Sequence, residues 1–198
     1  MPAIDTSVTA IILNKSHSGD SDVYLDLLTK ELGRIGAVSR GVGHLKSRLR
    51  YALEPYSVIG GVIIKTKSGG WQLINAELQN NLYYELEGQR RKVLIRLFEL
   101  IRRVVPPSEA TALTDGVVDL LITNTEFALD RYLYVALYIL FYLGYLDLVE
   151  IREFPEFSDV TDTPTIKSIV YNLPTKVSDS TMLGLKTLIQ QAIINSQL

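Results

Sequence analysis

The chain has 198 residues, 47% of them hydrophobic, with a formal net charge of −2 and a pI near 5.7. That length suits one large domain or two small ones, and that apolar content excludes an intrinsically disordered chain. There is no cysteine, which excludes disulfides and thiolate-held zinc or iron–sulfur centres.

The N-terminus, MPAIDTSVTAIILNKS, lacks the basic start and long apolar run of a signal peptide. SVTAIILNK, residues 7–15, is short, apolar and partly β-branched, which predicts a buried strand. SHSGDSD is a turn cluster. VYLDLLT, residues 23–29, predicts a second strand, although VYLDLLTKEL also has helix-favouring Leu and Lys. ELGR supplies a hairpin turn into RIGAVSRG, the third strand. VGHLKSRLRYALEP lacks alternation, stops at Pro55 and predicts a short helix or loop. PYSVIGGVIIK and WQLINAEL are two further strands joined at KSGG. Tyr56, Val58, Val62 and Ile64 share one face if the register holds across Gly60-Gly61, where paired glycines predict a bulge or a sharp barrel bend. So few strands keep their edges covered best in a closed barrel. The expected fold class is α+β: a five-stranded OB-fold over residues 1–78, followed by an all-α domain over residues 79–198.

The helical part starts where the period changes. Val93, Leu97, Leu100, Ile101 and Val104 recur at helical spacing, with Arg90, Arg91, Arg96, Arg102 and Arg103 off that stripe. Pro106-Pro107 ends the helix, and Ser108-Glu109 is a plausible new start continued by Leu113, Val117, Leu120 and Leu121. The uncharged run Tyr132–Leu146 is about 15 residues, short of the ~20 of a membrane span, and predicts a helix buried on all sides. Residues 147–177 are acidic and proline-bearing, which predicts an irregular connector. Ser178 caps a last helix with a stripe of Met182, Leu185, Leu188, Ile189 and Ile193.

Catalytic chemistry is sparse. The only histidines are His17 and His44, and no metalloprotease or nucleophile-elbow motif is present. GVGHLKS, residues 41–47, approaches a phosphate loop, but Leu45 stands where the loop needs glycine. Asp20 and Asp22 are two acids in a turn, which is a solvated turn far more often than a metal site. No enzyme activity, cofactor or metal is expected.

The charge is unevenly spread. Bases outnumber acids over residues 1–75, and acids dominate from Glu109 to Asp162. SRGVGHLKSRLR, residues 39–50, lies in a stretch without an acid from Leu32 to Leu53. Charge runs are most often solvated faces. Here Arg34, Arg40, Lys46, Arg48 and Arg50 fall at the end of the third strand and in the insert after it, and Lys65 and Lys67 approach from the fourth. Gly41 and Gly43 would let a backbone come close to a phosphate. Tyr51, Tyr56 and Trp71 lie nearby, and aromatics beside bases are how OB-folds hold single strands.

These residues resemble the N-terminal domain of the bacterial recombination mediator family RecO. The likeness rests on Gly19 to Asp22, Thr29 with Gly33-Arg34, Ser39-Arg40-Gly41 with Lys46-Ser47, and Leu53-Glu54-Pro55-Tyr56. It is dense over about 40 residues and is extended by Leu143-Gly144-Tyr145 at the end of the apolar helix. Many relatives carry a four-cysteine zinc site after that helix. This chain has DLVEIREFPEF there instead. The resemblance implies a non-enzymatic, cytoplasmic and nucleoid-associated protein. Such a protein binds single- and double-stranded DNA, anneals strands, pairs with RecR, and helps RecA displace the single-strand-binding protein SSB. It implies phosphate contacts from Arg34, Arg40, Lys46, Arg48 and Arg50, with His44, Lys65, Lys67 and Trp71 as further DNA-binding candidates. The arginines 90, 91, 96, 102 and 103 are the candidate site for the acidic SSB tail. The alternative is an adaptor whose barrel binds a protein and whose basic stretch meets an acidic partner.

Overall fold

The computed structural model describes residues 5–43, 49–107, 111–122, 129–164, 168 and 178–195. The chain divides into two compact units, Met1–Glu87 with Pro106–Thr125, and Gly88–Val105 with Glu126–Leu198.

The first unit is built on five strands: β1 (Asp5–Ser18), β2 (Asp22–Thr29), β3 (Gly33–Ser39), β4 (Ser57–Lys65) and β5 (Trp71–Asn81). They close into a barrel in the order β1-β2-β3-β5-β4, with β3 and β5 parallel at Ala37–Trp71 and Val38–Gln72. This is the Greek-key order of an OB-fold. A single strand, β1, serves both walls: Asp5 to Ile11 pair with β4 and Ala10 to Ser18 with β2. Its length and the register shift between Ile12 and Asn14 let it bend around the barrel. β2 is a strand rather than the helix its Leu content also allowed. Strict alternation buries Val23, Leu25 and Leu27 in the same core as Ile12, Ile35, Ile59 and Leu73.

On the fourth strand Val58, Val62 and Ile64 share one face, as expected, because β4 itself carries no extra residue. The barrel core takes Ile59 and Ile63, the opposite parity to Val58, Val62 and Ile64. Register shifts flank the glycine pair, between Val58 and Ile59 and between Val62 and Ile63, and the extra residues, Gln79 and Ile74, are on β5. Gly61 is needed where it is. A Cβ there would stand 3.0 Å from the Leu73 side chain and 3.1 Å from the Asn75 carbonyl oxygen.

Between β3 and β4 the described insert is one helical turn, α1 (Leu49–Ala52). Tyr56, just after it, has a φ of 68°, which is costly for a residue with a Cβ. The fold fixes it on both sides: its N–H donates to Ile12 O at 2.8 Å, and its carbonyl accepts from Leu82 N at 3.1 Å. Leu82 opens a second short helix, α2 (Leu82–Glu85), and the Tyr56 ring stacks on Tyr83 with centroids 5.4 Å apart.

The long helix α3 (Gly88–Val104) belongs to the second unit, whereas α4 (Thr111–Ile122) belongs to the first and packs on β2 and β3. Leu28, which alternation turns outward on β2, is fully buried. Lys30 donates to Asp119 of α4 and lies 3.6 Å from Asp115. The sequence-derived start at Ser108-Glu109 lies outside the described residues.

In the second unit α5 (Leu129–Tyr142) packs against α3 and against the last helix, α7 (Asp179–Asn195). Leu133 to Leu140 are all buried, as the uncharged run predicts, and Gly144 ends the segment at a φ of 76°. Among the described residues no helix is long and apolar enough to cross a membrane. The α3 stripe Val93, Leu97, Leu100, Ile101 and Val104 is buried, together with Leu94 and Phe98. On α7 the fully buried positions are Thr181, Leu185, Ile189 and Ala192, while Met182, Leu188 and Ile193 are half-buried. Ser178 caps this helix, its Oγ accepting from Thr181 N at 3.2 Å.

The acidic stretch after α5 is more regular than its composition suggests. Asp147 and Glu150 form a reciprocal capping box on α6 (Leu148–Arg152), and a single 3₁₀ turn follows at Pro155–Phe157. Ile151, Phe157 and Val160 are buried, and Phe157 meets Tyr134 at 5.1 Å between centroids. Residues 165–167 and 169–177 lie outside the described residues.

Candidate functional site

The site is assembled at one end of the barrel, where the β1–β2 turn, the turn after β3, and α1 come together. They enclose a cleft of about 510 Å³ whose lining includes Lys15, His17 and Arg50 beside Asp20 and Glu54. Lys15 and His17 are two apart on β1, so the pleat puts both on one face. Lys15 is half-buried and paired with Glu54 at 2.8 Å, whereas His17 and Arg50 are exposed. Sequence reasoning passed over Lys15 and His17 because they are isolated bases. The signal that finds them is the alternation of β1 beyond its apolar run.

The turn after β3 is anchored rather than loose. Gly41 N donates to Asp22 Oδ1 at 2.9 Å, and Gly43 N donates to Ser21 O at 2.8 Å. This corrects the reading of these glycines as a backbone open to phosphate, because their N–H groups are already used. Their lack of a side chain serves close packing and chain reversal: Gly41 has a φ of 69°, and a Cβ on Gly43 would stand 3.0 Å from Ser21 Cα. Asp22 and the Ser21 carbonyl of GDSD hold the turn that carries Arg40.

The sequence-derived bases fall into three groups. Arg40 and Arg50 are exposed and lie on either side of residues 44–48. His44, Lys46 and Arg48 lie outside the described residues. Arg34 is on the outer face of β3 in a bidentate pair with Asp26 of β2, Nε to Oδ1 at 3.0 Å and Nη2 to Oδ2 at 2.9 Å. Its side chain is 14% exposed, so its charge is matched by a carboxylate on the same face.

Lys65 and Lys67 are at the β4–β5 hairpin and exposed. Lys65 pairs directly with Trp71 across the hairpin, and its Nζ lies 5.3 Å from the indole centroid, within cation–π reach. Trp71 packs partly on the barrel core, so only part of its surface is open. Because β5 joins β3 at Ala37–Trp71, this hairpin lies beside the end of β3 that carries Arg40. Of the other aromatics, Tyr51 is 79% exposed on α1.

Among the described residues no group of three or more His, Cys, Asp or Glu is placed to hold a metal. In the second unit Arg90, Arg96, Arg102 and Arg103 are exposed on α3 and Arg91 is half-buried.

Residues 1–81 match the family model described as the recombination protein O N terminal. No curated protein matches the chain.

Proposed function

We propose that this chain, whose residues 1–81 match the family model for the recombination protein O N terminal, is a RecO-type recombination and repair protein, a non-enzymatic mediator that binds DNA through the basic end of its barrel. What supports the reading is that the exposed Arg40 follows β3, whose end pairs with the start of β5 beside the hairpin carrying exposed Lys65 and Lys67, and that the exposed Arg50 lines a cleft with Val42 and Gly43 of the turn after β3. OB-folds bind oligonucleotides on this side, at the β2–β3 face and the hairpin loops. Exposed Lys and Arg on such a surface make phosphate contacts that are independent of sequence and sensitive to salt. A net charge of −2 does not oppose this, since charges act locally within a Debye length of about 8–10 Å.

In this reading Arg40, Lys46, Arg48 and Arg50 neutralise phosphates, Lys65 and Lys67 add to them from the hairpin, and His44 and Trp71 offer ring surface. Arg34 acts with Asp26 as a polar pair on the same face. Annealing of complementary strands follows from holding two backbones at once. The exposed arginines of α3 suit the acidic tail of SSB, and the mediator role adds RecR as partner and RecA as the beneficiary. In this reading the barrel part, residues 1–78, binds DNA and the helical part, residues 79–198, binds partners, although α4 of the latter belongs to the same compact unit as the barrel and packs on it.

The test is anisotropy of labelled single-stranded DNA across a salt series, with Lys46→Ala/Arg48→Ala/Arg50→Ala beside the wild type. Three lost phosphate contacts should flatten the log–log salt slope by about 2 on single strands. If the wild type does not bind at low salt, the basic stretch serves a protein partner, and the adaptor reading replaces this one.

A further inference from the structure

The outer face of β2 and β3 carries an aromatic ring in an unusual pose. Asp22, Tyr24 and Asp26 alternate with the buried Val23, Leu25 and Leu27, so Tyr24 points away from the core. It is 47% exposed. Its direct cross-strand neighbour is Val38, while Gly36 faces Asp26. Even so, a Cβ on Gly36 would overlap the Tyr24 hydroxyl and Cζ and stand 3.2 Å from Cε2. The phenol end therefore crosses diagonally and rests on the bare backbone of β3. Strand side chains ordinarily stand up from the sheet, and any side chain at position 36 would lift this ring.

The surroundings suit a ligand with a flat apolar part and a charged backbone. On the same face the Arg34–Asp26 pair lies on one side of the ring. Continuing the β3 alternation past Val38 leads to the exposed Arg40. One side of the ring is backed by the strand, and nearly half the residue is open to solvent.

We propose that Tyr24 is a stacking platform for one base of single-stranded nucleic acid, held flat by Gly36. The proposal rests on the DNA-binding reading and adds the residue that contacts a base rather than a phosphate. Stacking on an aromatic face is tolerant of sequence because every base has a π-face. An aromatic lying over a strand glycine also supports the sheet itself, so the test has to separate the two roles.

The experiment measures affinity of the full chain for labelled oligothymidylate and for an abasic oligonucleotide of equal length, at one salt concentration. The proteins are wild type, Tyr24→Ala, Tyr24→Phe and Gly36→Ala, each with its melting temperature. The expected result is a loss of about tenfold on oligothymidylate for Tyr24→Ala, no loss on the abasic strand, and near-wild-type binding for Tyr24→Phe. Gly36→Ala should lose affinity for the base-bearing strand alone, because the ring is propped off the surface. If Tyr24→Ala binds oligothymidylate like wild type while its melting temperature falls, the ring is only a cover for Gly36 and the proposal is overturned. Equal losses on both oligonucleotides also overturn it. A wild type that binds neither strand removes the DNA-binding reading, and the platform with it.

Discussion

Asp22 holds Gly41. The carboxylate Oδ1 at the start of β2 accepts the Gly41 N–H at 2.9 Å, tying the turn after β3 to the turn before β2. Ser21 reinforces the link by accepting from Gly43 N at 2.8 Å. Two acid-bearing and glycine-bearing motifs that are separate in the sequence are therefore one structural unit, and Arg40 sits on it.

This gives opposed expectations for Asp22→Ala. Removing an acid beside a basic turn should, by charge alone, strengthen DNA binding. Releasing the turn should weaken it. The anchor is expected to dominate: stability falls by about 1–2 kcal/mol, and DNA affinity falls with it, while Asp22→Asn, which keeps an acceptor oxygen, recovers most of both. Denaturant melts and anisotropy on the three proteins decide the matter. Tighter binding by the alanine variant would mean that the turn is not positioned for the ligand.

Lys30 and Asp119 give a pH test of how α4 is held to the barrel. The hydrogen bond to Asp119 is the main cause that raises the Lys30 pKa above its usual 10.5, against the opposing effect of desolvation, with Asp115 adding to the rise. A raised pKa in the folded state stabilises wherever the lysine is charged in both states, and that stability is lost as pH rises through the folded value. Both partners are 30% exposed, so screening keeps the contribution below about 1 kcal/mol. Asp119→Asn should lower the urea midpoint near pH 7, and the gap from wild type should close as pH rises through the raised Lys30 value, above 10.5. A gap that stays constant across that range would rule out the ion pair as its source.

Gly184 sets helix propensity against packing. In the interior of α7 alanine should gain up to about 1 kcal/mol over glycine. Yet a Cβ there would stand 2.6 Å from Phe154 Cε1 and 3.3 Å from Cζ, and an aromatic ring yields little. Overpacking of this kind costs about 1–3 kcal/mol, so Gly184→Ala should be net destabilising. In the Phe154→Ala background the same change should become neutral or stabilising. Thermal melts of the four-member cycle read the sign directly, and a stabilising single Gly184→Ala would refute the close packing.

The elements of both units are largely visible in the sequence because their signals are local. Alternation in VYLDLLT and RIGAVSRG, the breaks at Gly33 and KSGG, and the 3.6-residue stripe of α3 each depend on neighbours a few positions away. The uncharged run of α5 is equally plain. The face of β4 was not legible. Both faces of that strand are apolar, Ile59 and Ile63 on one and Val58, Val62 and Ile64 on the other, and barrel closure decides which one turns inward. Likewise, acidic composition around residue 150 hides a capped helix, since Asp147 and Glu150 act as a reciprocal pair.

Within the candidate site the sequence by itself determined where positive charge collects and which barrel would carry it, because composition and period are properties of the chain. Only the tertiary structure decided what each group does. It matched Arg34 to Asp26 across a strand pair, turned the Gly41 and Gly43 amides inward to Asp22 and Ser21, and brought Lys15 and His17 to line a cleft with Arg50. It also laid Tyr24 against Gly36. These partners are 8 to 35 residues apart, and their pairing follows from strand register and barrel closure. A local pattern cannot encode either, because each is fixed by the simultaneous packing of all five strands.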